Sequence, residues 1–145
     1  MRIIPFSPEY SAGIRSFVIG VLAEEGFAYD PQKDSDLDDI GGNYVGSGRA
    51  FFLSVEDGRI VGTSAVRSLG PGVCEIKRLY VKNECRGRGM GLALFRTALD
   101  FAQKHYSKAK LKTNSSLNKA ISIYLGHGFN VVGEVDGTLY FEKSL

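Results

Sequence analysis

Apolar positions along this chain follow two rhythms. Tyr10, Ile14, Phe17, Val18, Val21 and Leu22 recur at helical spacing and predict an amphipathic helix. Ser7-Pro8 opens it, with Ser7 as N-cap and Pro8 at the first helical position, and Gly26 stops it. A shorter helix is expected over 34–44, carried by Leu37 and Ile40. Leu92, Phe95, Leu99 and Ala102 mark one side of a helix over 92–105, and a short helix over 118–125 is closed by Gly126. Elsewhere, runs rich in apolar, β-branched and aromatic residues predict strands over 2–6, 50–55, 60–67, 73–81, 110–113, 129–135 and 138–142. Asp57-Gly58 and Asp136-Gly137 read as hairpin turns. The predicted order is β-α-α-β-β-β-α-β-α-β-β, without internal repeat, linker or low-complexity segment.

One strand-to-helix junction is unlike the others. Arg86-Gly87-Arg88-Gly89-Met90-Gly91 lies between the strand ending at Val81 and the helix from Leu92. Glycines there let several backbone N–H groups face outward together, and the helix start adds the positive end of its dipole, which suits a pyrophosphate. Two familiar phosphate loops fail on spacing. A dinucleotide fingerprint counted from Gly87 would need a glycine where Leu92 stands and a carboxylate within 107–113, which has none. A nucleotide P-loop needs Lys followed by Ser or Thr, where this chain has Leu92 and Ala93.

What remains is R-x-x-G-x-G, met by Arg86, Gly89 and Gly91. It resembles the coenzyme A-binding motif of the GNAT superfamily of N-acetyltransferases. The stretch from Asn118 through Ala120 and Tyr124 to Gly126-His127-Gly128-Phe129 is similar to that family's second signature, one residue shorter than its commonest form. The resemblance implies an α/β (α+β) GNAT fold over a single domain, 1–145, with a mixed twisted sheet of about seven strands flanked by about four helices. It implies acetyl-CoA as acetyl donor, with no metal. Arg86, Gly87, Arg88, Gly89, Met90, Gly91 and Leu92 would hold the pyrophosphate. Arg86 and Arg88 each offer a guanidinium fork, though Arg88 fills a variable slot and is equally suited to a solvated role.

The same resemblance assigns chemistry. A primary amine near pKa 10.4 is mostly protonated at neutral pH, so attack on a thioester needs a base. Glu75 stands eleven residues before Arg86, where histone-type members carry a catalytic glutamate. Burial on a central strand would raise its pKa toward the working range. The alternative is a structural glutamate paired with a basic neighbour such as Arg67. A backbone N–H from Leu79, Tyr80 or Val81 would face the carbonyl oxygen as it gains charge, although any buried strand would carry the same side chains. Tyr124 matches the general-acid tyrosine that protonates the departing thiolate; a core aromatic is its plainer role. Asn118 would bond the pantetheine arm or act as an N-cap.

Composition and charge narrow the rest. A chain of 145 residues buries roughly 70% of its unfolded surface and needs no second domain. Eighteen basic against sixteen acidic residues give no reason to invoke nucleic acid. Cys74 and Cys85 lack metal or disulfide spacing, so a reducing cytoplasm is expected. No stretch approaches the roughly 18 apolar residues of a membrane span, and no export signal is read at the N-terminus. His105 and His127 are isolated and gain no role. Asp30, Asp34, Asp36, Asp38 and Asp39 border the expected acceptor groove; helix-start charge and a solvated face account for them more simply than steering of a cationic acceptor.

The expected activity is transfer of an acetyl group from acetyl-CoA to a primary amine of a small molecule, by direct attack in a ternary complex. A protein N-terminal or lysine acetyltransferase is the alternative enzyme. A non-catalytic acyl-CoA-binding module is the alternative class, against which Glu75 and Tyr124 beside an intact loop argue. Monomer and homodimer are both compatible.

Overall fold

A computed structural model describes residues 2–145. In chain order it contains strand β1 (Arg2–Pro5), helix α1 (Ser11–Glu24), helix α2 (Ile40–Tyr44), β2 (Ala50–Glu56), β3 (Arg59–Gly70) and β4 (Val73–Val81). There follow helix α3 (Met90–His105), β5 (Lys108–Asn114), α4 (Asn118–Gly126), β6 (Asn130–Val135) and β7 (Thr138–Ser144). The strands form one sheet in the order β1-β2-β3-β4-β5-β7-β6. Every neighbouring pair is antiparallel except β4 and β5, whose parallel pairing needs the crossover that α3 supplies. The family of folds expected from the sequence is therefore the one observed: a mixed seven-stranded sheet with four helices.

Side-chain alternation sorts the core onto two faces. Val66, Cys74 and Ile76 pack beneath Phe95, Ala98 and Ala102 of α3, with Tyr124 of α4 and Phe129 and Phe141 completing that cluster. Ala65, Leu53 and Phe51 point the other way, against Ile14 and Val18 of α1 and Ile40 and Tyr44 of α2. Helix α3 sits low on the sheet because β3 has Gly62 beneath it: a Cβ there would lie 2.6 Å from Leu94 Cδ1. Ser64 Oγ donates to Leu94 O at 3.0 Å and fixes the same contact.

Several local expectations need correction. Ser7 makes no side-chain cap; its hydroxyl donates to Glu9, and a 3-10 turn over Pro8–Tyr10 precedes α1. The helix expected over 34–44 is broken in two. Ser35–Asp38 is a 3-10 turn, Asp39 leaves helical geometry at φ −147°, and its carboxylate caps α2 by accepting from Gly42 N. Asn118 is the first residue of α4 rather than its cap, a place taken by Leu117. Both hairpin turns hold, with Asp57-Gly58 and Asp136-Gly137 all at positive φ.

Candidate active site

The site begins where β4 and β5 part. They pair over only three rungs, Val73 with Lys108, Cys74 with Ala109 and Glu75 with Lys110. Beyond Glu75 the edge of β4 that faced β5 has no strand partner, and a gap opens between the two strands. A bulge in β4 helps to turn it away. Ala65 pairs with Lys77 while Thr63 pairs with Tyr80, so β4 carries an extra residue between those rungs. Arg78 sits in it at φ 56°, a left-handed conformation uncommon for a residue with a Cβ. Thr63 Oγ1 donates to Arg78 O at 2.7 Å and holds the kink.

The Arg78 side chain is buried and acts as a tie. Its Nη2 contacts Asp36 at 2.5 Å and Asp34 at 3.1 Å and donates to Lys33 O at 3.2 Å; Nη1 donates to Tyr80 Oη at 3.3 Å. Burial by itself would raise the Asp36 carboxyl, but hydrogen bonds from Arg78 and the Tyr44 hydroxyl outweigh it and hold the group below the ordinary carboxylate range. The five aspartates thus have internal employment. Asp30 accepts from Gln32 N and Lys33 N, Asp38 binds Arg15 and Tyr29, and Asp39 caps α2. For Asp34 and Asp36 the expected solvated face is corrected to a buried ion-pair cluster.

At the far end of β4 the glycine turn runs into α3. Arg86 N donates to Asn83 O and Ala93 N donates to Gly89 O; the six backbone N–H groups between them, from Gly87 to Leu92, find no acceptor among the described residues. Gly87 and Gly89 reach this arrangement at φ 83° and 77°. A Cβ on either would meet no protein atom within 4 Å, so their outward side is open. Gly91 packs with its α-carbon toward Val81. Met90 turns its side chain into the core and presents only its backbone. Open N–H groups at the start of a 16-residue helix form a nest for an anion.

Both arginines of the turn are already bonded to protein. Arg86 Nε donates to Val81 O at 3.1 Å, with Glu25 3.5 Å from Nη2, which fastens the turn to β4. Arg88 Nη2 lies 2.8 Å from Glu56. The open backbone N–H groups are thus one anion-binding element of this turn, and the half-exposed Arg86 and Arg88 guanidinium groups stand beside it, held by Val81, Glu25 and Glu56.

Glu75 and Tyr124 flank the gap from opposite faces of the sheet. Tyr124 is buried among Phe95, Phe129 and Phe141 on the helix side. Burial, reinforced by nearby Tyr80, pushes its phenol up to about 12, so it is protonated at any physiological pH. Leu79 packs into the same cluster. Glu75 points to the other face, where Arg67 Nε holds Oε1 at 2.6 Å. It lines an open groove of about 300 Å³ with Arg67, Lys110, Lys112, Tyr140 and Glu142. Asn118 is exposed at the start of α4. A larger groove of about 520 Å³ between α1 and the β2–β3 turn, walled by Tyr10, Gly13, Phe17 and Ile60, contains none of this chemistry.

The family model for the acetyltransferase (GNAT) domain matches residues 34–137. The chain belongs to the GNAT acetyltransferase family. Mouse N-acetyltransferase 8F1 is 34% identical over 107 residues, covering 69% of this chain and 48% of that protein. Streptothricin acetyltransferase A of Bacillus subtilis is 29% identical over 135 residues, covering 92% of this chain and 75% of that protein. Among solved structures, the PaiA N-acetyltransferase of Thermoplasma acidophilum, determined with coenzyme A, superposes with a TM-score of 0.74 at 16% identity, each chain fully covered. The GNAT domain spans about half the length of the mouse relative it matches.

Of the residues the sequence pointed to, the structure puts the glycine turn directly after β4 and Tyr124 in the apolar cluster that Leu79 of β4 joins. Sequence reasoning missed Arg78. The available signal was a cation inside an otherwise apolar strand, which must find carboxylates if it is buried. Among the described residues, no helix is long and apolar enough to cross a membrane, and no three His, Cys, Asp or Glu side chains are grouped to hold a metal ion.

Proposed function

We infer that this GNAT domain transfers an acetyl group from acetyl-CoA to a primary amine of a small molecule, by direct attack in a ternary complex. The observation that carries this reading is the row of open N–H groups from Gly87 to Leu92 beside a strand gap that has Glu75 on one face and Tyr124 on the other. The N–H row, a positive helix end without a protein partner, fits a pyrophosphate. Bound there, acetyl-CoA would supply a thioester for the gap. Glu75 takes the proton of the incoming amine, directly or through water, on Oε2, since Arg67 engages Oε1. Backbone N–H groups along Leu79 to Val81 oppose the charge growing on the carbonyl oxygen. Tyr124, protonated through its burial, donates to the departing sulfur. The groove beside Glu75, at about 300 Å³, is the size of a small-ligand site, which favours a small amine over a protein tail. Cys74 and Cys85, both free and buried, support the cytoplasm as the compartment.

The test pairs calorimetric titration of coenzyme A with thiol release across an amine and peptide panel. Gly89→Val forces a β-branched residue to φ 77° and fills the open side of the turn, so its affinity is expected to fall by at least about tenfold. Unchanged affinity in a folded variant rejects the phosphate site. Coenzyme A binding without thiol release from any amine or peptide points to a binding module, and peptides outpacing small amines to a protein acetyltransferase.

A further inference from the structure

The face of the sheet that carries Glu75 has a charge pattern that the reaction does not use. Register places Arg67 opposite Glu75 on β3, and Lys110 beside Glu75 on β5. Lys108 and Lys112 share the face of Lys110 by alternation, and on β7 Glu142 pairs with Lys110 and Tyr140 with Lys112. Lys77 lies two residues beyond Glu75 on the same face, where its charged neighbours are Asp36, Arg67, Glu75 and Arg78. Five cations therefore meet two carboxylates across β3, β4, β5 and β7. Those carboxylates are committed: Glu75 to Arg67, and Glu142 to Lys108 and Lys110, each at 3.5 Å. Lys77 and Lys112 take part in no ion pair among the described residues. They stand just past the last rung joining β4 to β5, on opposite banks of the gap. No helix covers β5 and β7 on this side, so a solute reaches the Lys112 ammonium along the open groove, which Glu75, Arg67 and Lys110 also line; Lys77, half-buried, stands across the gap from it.

Two other employments for these lysines are excluded by position. The turn that fits a pyrophosphate is at the other end of β4, and its donors are backbone groups. The aspartates of 30–39 that were candidates to attract a cation are all bonded internally. Burial lowers the Lys77 ammonium pKa, with Arg67 and Arg78 acting in the same direction and Asp36 and Glu75 against it; an anion seated beside it would favour the charged form.

We propose that the groove selects an amine acceptor that also carries a carboxylate, held by the unpaired Lys112 while its amino group faces Glu75. This rests on the acetyltransferase reading above and names its substrate class. Such an acceptor is an amino acid or a similar small amino acid derivative, and a diamine is disfavoured because its second ammonium would sit beside Arg67, Lys110 and Lys112.

The experiment compares a matched series on the same enzyme: an α-amino acid, its carboxamide, the decarboxylated monoamine, and a diamine. The acid is expected to exceed the other three in kcat/KM by at least about tenfold, falling as salt rises. Lys112→Ala is expected to lower kcat/KM for the acid about tenfold, through KM, while the carboxamide and the KM for acetyl-CoA stay unchanged. In parallel, a non-reactive N-acetylated amino acid is titrated calorimetrically into the protein with coenzyme A present, and binding should weaken in Lys112→Ala. A diamine or carboxamide that matches the acid, or a Lys112→Ala variant that slows all acceptors equally, overturns the proposal. So does the absence of N-acetyl amino acid binding to wild type at millimolar concentration. Carboxylate binding that depends on Lys112 with no acetylation of any amine keeps this proposal and overturns the transferase reading.

Discussion

The two halves of the sheet treat charge in opposite ways. In β1 to β4, with helices on both faces, the charges near the site are inside: Arg78 is neutralised by Asp34 and Asp36, with Arg78 and Asp34 buried and Asp36 half-buried. In β5 to β7 one face is covered by α3 and α4 and the other is bare, and its lysines face water with too few carboxylates to match them. Buried charge without a partner is prohibitively costly, so the first half has its charges paired internally and uses them as a clamp. Solvated charge is tolerated unpaired, so the second half retains cations available to a ligand. The gap between β4 and β5 is the border, with a fixed, internally paired bank on β4 and an open, cationic bank on β5.

The contrast is broken most severely by removing the clamp. Arg78→Ala leaves two carboxylates, one buried and one half-buried, without their cation and is expected to cost about 3–5 kcal/mol in chemical denaturation. Asp34→Asn, which retains a polar partner and leaves the Asp36 contact, should cost less. A loss under 1 kcal/mol for Arg78→Ala would show that the cluster is not a clamp.

Chemistry at the gap comes next. Tyr124→Phe should lower turnover by about 10³ with near-normal coenzyme A affinity, because only a hydroxyl is removed from an otherwise intact aromatic cluster. Its pH signature is separate. The phenol titrates near 10 when unfolded and at about 12 when folded, so wild type keeps this stabilisation below pH 10 and loses it as pH rises through that interval. The phenylalanine variant should show a flatter stability curve there in thermal melts. Equal turnover in the two proteins removes Tyr124 as the acid.

Glu75→Gln is expected to have a smaller effect, about 10² in kcat, with little change in coenzyme A affinity. It also loosens Arg67, half of whose side chain is exposed, so the stability cost of that pair is small. Full turnover in this variant would leave Glu75 as a brace for Arg67, the role that the sequence also allowed.

Much of this was legible because it is local. Periodicity and β-branched runs found the strands and the long helices, though not the break at Asp39, turn chemistry found both hairpins, and the glycine spacing found the anion turn without any knowledge of the sheet. What escaped depends on partners far apart in the chain. Arg78 meets Asp34 and Asp36 across more than forty residues. The gap depends on pairing between β4 and β5 stopping after three rungs, which no single strand records. The lysines of β5 alternate with apolar residues, as any half-exposed strand would. Only the register that puts them beside Glu75 makes them a surface for recognition. Arg86 and Arg88 carry a further long-range partner that the glycine spacing does not record, since Arg86 reaches Glu25 and Arg88 reaches Glu56.

Gly62 gives the fold a hidden dependency. The open N–H groups belong to the first turn of α3, and the height of α3 over the sheet is set by the missing side chain at Gly62 against Leu94. A larger residue there would meet Leu94 Cδ1 at 2.6 Å and Tyr80 O at 3.2 Å, so either the Leu94 side chain repacks or α3 shifts and carries the anion turn with it. A screen for donor-binding mutants is therefore expected to reach this interior glycine, which touches no donor, as well as the turn itself.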